Sequence, residues 1–97
     1  MILYHGTNID TDSLITPLWV TPDYHLAGHF ALHAKSGTIK TQYGYIYKLK
    51  VDDSFLKATE KPIGGFVRRY ILSGGQIEIL DKTKVVYDPI KSFKKSV

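Results

Sequence analysis

A chain of 97 residues suits one domain, because a second hydrophobic core could not be closed with what the first leaves over. It has no cysteine, which excludes disulfides, thiolate metal sites and cysteine catalysis. The net charge of +4 admits an anionic ligand or partner without naming one, and no stretch nears the ~20 apolar residues of a membrane span, so the expectation is a cytoplasmic protein without a membrane partner.

Ile2 to Tyr4 is a short apolar run stopped by His5-Gly6-Thr7-Asn8, which predicts a first strand delivering His5 and Gly6 to a loop at its end. Leu18 to Thr21 is a second compact strand. It runs into Thr21-Pro22-Asp23, a capping hydroxyl with proline at the first helical position, so a helix is expected from Pro22. Leu26, Ala27, Phe30, Ala31 and Ala34 form its buried stripe, and Ser36-Gly37 ends it.

From Tyr43 to Val51 the chain alternates, with Tyr43, Tyr45, Tyr47, Leu49 and Val51 on one face and Gly44, Ile46, Lys48 and Lys50 on the other. Phe55 to Lys61 fits no single period. Pro62 to Gly65 reads as a loop before a short helix, Phe66 to Leu72. After a turn at Ser73-Gly74-Gly75, Gln76 to Leu80 and Lys84 to Tyr87 read as two strands joined at Asp81-Lys82-Thr83. The expected fold is therefore α+β: a small, twisted, mostly antiparallel sheet with one main helix and a short second helix.

Three clusters carry potential chemistry. His5-Gly6-Thr7 joins an imidazole, a bare backbone and a hydroxyl, which can grip a flat polar ligand or be an ordinary turn. Trp19 and Phe30 flank the strand-to-helix join and could turn two rings toward one cleft, although aromatics in a domain this small are more often core. Gln76 and Glu78 share a strand face while Ile77 and Ile79 face the core, so Glu78 is either a solvated edge acid or a working carboxylate.

In that order the clusters resemble the three motifs of the His-Tyr-Glu ADP-ribosyltransferases, the group of diphtheria-type toxins and poly(ADP-ribose) polymerases, over roughly residues 2 to 93. Tyr4-His5-Gly6-Thr7 looks like the first motif, Leu18 to Asp23 with Leu26-Ala27 and Phe30-Ala31 like the second, and Gln76 to Leu80 like the third. Trp19 stands where the family has tyrosine, so either Trp19 stacks or Tyr24 is recruited, and the chain is short for the family. The resemblance implies a split sheet and transfer of ADP-ribose from NAD to a macromolecular acceptor, protein or nucleic acid, with release of nicotinamide. It further implies Glu78 and His5 as catalytic, and His5, Gly6, Thr7, Trp19, Tyr24, Phe30 and Gln76 around NAD. Arg68, Arg69 and Tyr70 would face the acceptor.

Glu78 would stabilise the oxocarbenium-like sugar, which requires its carboxylate and the His5 imidazole to point into one cleft. The rival readings are a non-catalytic binding or inhibitor module on a degenerate transferase fold and an NAD glycohydrolase. His25, His29 and His33 lie four apart on the expected helix and read as a solvated or partner-facing stripe rather than a metal site. Lys82, Lys84, Lys91, Lys94 and Lys95 crowd the last sixteen residues and read first as a solvated, partly frayed tail, second as a nucleic-acid contact.

Overall fold

The computed structural model describes residues 1–33, 41–59 and 67–96. Seven strands and one α-helix occur among them: β1 (Ile2–Thr7), β2 (Leu18–Val20), α1 (Tyr24–Leu32), β3 (Tyr43–Val51), β4 (Leu56–Ala58), β5 (Tyr70–Leu72), β6 (Ile77–Asp88) and β7 (Ser92–Lys95). They form two antiparallel sheets, one ordered β1-β3-β6-β7 and the other β2-β5-β4. The bridge from Tyr4 to Thr21 joins them. The α+β class and the antiparallel curl agree with the sequence. Among the described residues no helix is long and apolar enough to cross a membrane.

Helix α1 begins two residues later than Pro22, and its cap is Asp23, whose carboxylate accepts from the His25 and Leu26 amides at 2.9 and 3.3 Å. A carboxylate at the cap satisfies amides that have no partner inside the helix. The Thr21 hydroxyl, expected to cap, instead accepts from the Asp23 amide. The helix stops at Leu32, short of Ser36-Gly37, which with Ala34 lies outside the described residues. Its buried side holds Ala27, Gly28, Ala31 and Leu32, while Leu26 and Phe30 are only half-buried, so the stripe is rotated from the expected one.

Two glycines let α1 lie flat on the sheet. A Cβ at Gly6 would fall 1.8 Å from the Ala27 carbonyl oxygen, and one at Gly28 would fall 2.1 Å from the Phe93 ring. The core has two parts. Leu3, Leu18, Val20, Tyr47, Leu49, Val51 and Leu72 fill the space between the sheets. Ala27, Ala31, Leu32, Ile46, Val85 and Phe93 sit beneath α1.

Four expectations need correction. The strand expected to stop at Tyr4 runs on to Thr7, because His5, Gly6 and Thr7 continue the ladder with Tyr47, Ile46 and Tyr45. The helix expected over residues 66 to 72 is a strand at Tyr70–Leu72, held between β2 and β4, and Phe66 lies outside the described residues. Asp81-Lys82-Thr83 is no turn: β6 is continuous and pairs with β3 along its length, with one extra residue, Leu80, bulged between Ile79 and Asp81. Lys94 and Lys95 likewise stand in β7 rather than in a frayed tail.

Candidate functional site

Residues directly opposite in an antiparallel ladder share a face, and positions two apart on one strand share it too. Leu3, His5 and Thr7 oppose Leu49, Tyr47 and Tyr45, so His5 projects toward the inter-sheet space with Tyr47. Its ring centroid lies 6.4 Å from that of Tyr47. His5 Nδ1 is 2.6 Å from the Trp19 carbonyl oxygen, which can only accept, so Nδ1 carries the proton and the imidazole ties β1 to β2.

Gly6 has a structural reason, the pressing helix, but its amide and carbonyl also matter. Tyr4 sends both backbone groups outward to Thr21, at 2.7 and 2.9 Å. The two-residue period of the ladder directs those of Gly6 to the same edge, beyond the bridge. Thr7 closes β1, and its hydroxyl accepts from the Ile9 amide at 3.2 Å.

The loop from residue 8 to 16 folds over this side. The buried Tyr47 hydroxyl accepts from the Thr11 amide at 2.8 Å and has the Ile9 and Thr11 carbonyls, at 3.1 and 2.9 Å, in reach of its own proton. The alternation places Tyr47 on one face of its strand with Leu49 and Val51 but carries no sign of this anchoring role, since the loop it holds is unpatterned. Between that loop and β6 opens a shallow cavity of about 420 Å³, lined by Asp12 to Thr16, Gly75, Ile77 and Ile79.

Glu78 is not in this space. Ile77 and Ile79 oppose Val51 and Leu49 and pack on the inter-sheet core as expected, whereas Glu78 opposes Lys50 on the other face. The imidazole of His5 and the carboxylate of Glu78 therefore project from opposite faces of the four-stranded sheet. The bulge at Leu80 is the cause: beyond it Lys82 and Lys84 oppose Tyr47 and Tyr45 and share the His5 face, but the extra residue turns Glu78 away. Gln76 precedes β6 in the turn and is exposed.

The expected aromatic sandwich is also redistributed. Trp19 is 49% exposed between the buried Leu18 and Val20, and among the described residues no ring contact joins it to Phe30, whose neighbour is His29. Tyr24 lies on the α1 side, edge-on to Tyr4 at 5.3 Å, and burial raises its pKa against the opposing effect of a hydrogen bond to Thr83. It lines a second cavity of about 250 Å³ with Tyr4, Lys48, Asp81, Thr83 and Lys95, on the far side of the sheet from His5.

Arg68 and Arg69 are exposed before β5, where the Arg69 carbonyl accepts from the Thr59 amide. Tyr70 opposes Val20 and packs against the inter-sheet core, on the side His5 faces. The histidines divide: His25 meets Phe93 edge-on, His29 and His33 stack at 4.2 Å, and His33 meets Tyr87. Among the described residues no three metal-ligating side chains converge. No family model, curated protein or solved structure matches the chain.

Proposed function

We propose that this domain binds NAD, or a nicotinamide nucleotide like it, at the seam between the two sheets, as a binding module on an ADP-ribosyltransferase-like framework. The register carries the reading: Tyr4 turns its amide and carbonyl to Thr21, and the two-residue period of β1 turns those of Gly6 to the same edge, beside the His5 imidazole and the Trp19 strand, a donor and acceptor pair suited to a carboxamide. Tyr70 faces the same space.

A transferase working through Glu78 is the less favoured reading. A carboxylate stabilises a developing sugar cation only at contact distance, and Glu78 stands across the sheet from His5. The test is calorimetric titration with NAD beside incubation with NAD labelled in its ADP-ribose part and a cell lysate. Saturable binding, weakened tenfold or more in His5→Ala, with no labelled macromolecule, is the expected result. Label on macromolecules that disappears in Glu78→Ala would restore the transferase, and release of free ADP-ribose would make the protein a glycohydrolase.

A further inference from the structure

At the end of the four-stranded sheet away from β2, β4 and β5, the face opposite α1 leaves Tyr43, Lys84 and Lys94 exposed among the described residues. The register gathers on it Tyr43 and Tyr45 of β3, Lys82 and Lys84 of β6, and Lys94 of β7, which opposes Val86. Tyr43 is 50% exposed, and Lys84 and Lys94 are exposed beside it. The Lys84 ammonium lies 5.2 Å from the centre of the Tyr43 ring and that of Lys82 5.9 Å from Tyr45. Lys82 is engaged by Asp10 at 2.6 Å and Asp12 at 3.7 Å. Asp88, at the margin of this face, turns its carboxylate to the Ile90 and Lys91 amides.

We propose that this face binds single-stranded nucleic acid. An exposed tyrosine flanked by lysines on a sheet face offers a ring to an unpaired base and ammonium groups to the phosphates beside it. Tyr43 is the exposed stacking ring; Tyr45, two residues on, is half-buried against the inter-sheet core with the Lys82 ammonium beside it. An acidic peptide would use the lysines but gain nothing from the exposed ring, and the net charge of +4 favours a polyanion at long range. The proposal rests on other residues than the NAD reading: that site is at the edge of β1 toward β2, whereas this face is carried by β3, β6 and β7, next to the same end of β1.

The test is fluorescence anisotropy of the full chain with labelled oligothymidylate and oligouridylate of about ten nucleotides and with a duplex of equal length. Either single strand binds more tightly than the duplex. Tyr43→Ala weakens that binding roughly 5- to 150-fold, the range for one lost stacked base, and Tyr43→Phe retains it. Lys84→Gln reduces the salt slope by about 0.7. Asp10→Asn combined with Asp12→Asn tightens binding by releasing Lys82. Equal affinity for duplex, an unchanged Tyr43→Ala in a chain with wild-type circular dichroism, or equal competition by polyglutamate would each overturn the proposal.

Discussion

The two halves of β3 bury opposite faces. From Tyr43 to Ile46 the buried side is that of Gly44 and Ile46, under α1, and Tyr43 is left to solvent. From Tyr47 to Val51 the buried side is that of Tyr47, Leu49 and Val51, under the three-stranded sheet, and Lys48 and Lys50 are left outside. Ile46 and Tyr47 are consecutive and both buried, at 1% and 0% exposure, which marks the place where the cover changes sides. A regular alternation in sequence thus serves two different layers. What lies on each face follows from what packs there, and the bulge at Leu80 in the partner strand separates His5 from Glu78.

The largest effect should come from the half under the helix. Gly6→Ala puts a methyl into the Ala27 carbonyl, a backbone atom that cannot rotate away, and should cost about 3 kcal/mol or more. In a domain of this size that lowers Tm by roughly 12 °C or more, measured by thermal circular dichroism. A near-wild-type Tm would mean that α1 does not lie on Gly6.

In the other half, Tyr47→Phe keeps the ring in the inter-sheet core and removes the hydroxyl that anchors the loop. The expected loss is about 1–3 kcal/mol, since the Thr11 amide and the two carbonyls lose a buried partner. Hydrogen exchange should accelerate at Thr11 while amides of α1 stay protected. Equal acceleration in both halves would show that the two cores do not act separately.

The smallest effect concerns pH. Burial, and after it the neighbouring His33, lowers the His29 pKa below its ordinary 6.5. The unfolded chain therefore binds a proton at His29 more readily than the folded one. This contribution is intact above pH 6.5 and declines as the pH falls from there through the lower folded value. Urea melts from pH 7.5 down to 5 should show stability falling, and His29→Gln should flatten part of that slope. An identical slope in the variant would place the linkage elsewhere.

Much of the fold was legible because it is local. The alternation of residues 43 to 51 and the strand-to-helix join near Asp23 are written in period and capping chemistry, and both elements form there. Tyr70–Leu72 was misread because its strand character comes from β2 and β4, which are distant in sequence and supply all its pairing. Asp81-Lys82-Thr83 looked like a turn because charged residues in a row are usually solvated; here Lys82 reaches back to Asp10 from an open sheet face. His5 and Gly6 lie within β1 near Trp19 rather than in the loop expected at its end, because their pairing with β3 is not visible in the local sequence. Glu78 faces away from the core, as its alternation with Ile77 and Ile79 implies; what left no mark in the sequence is that His5 faces the core side with Tyr47, so the two share no cleft.

The most direct test of this division is two-dimensional amide NMR during titration with NAD. Shifts are expected at His5, Gly6, Thr7, Trp19 and Tyr70, with Lys50, Glu78 and Lys48 unmoved. Saturable shifts centred on Glu78 and Lys50, with His5 and Gly6 unmoved, would contradict it.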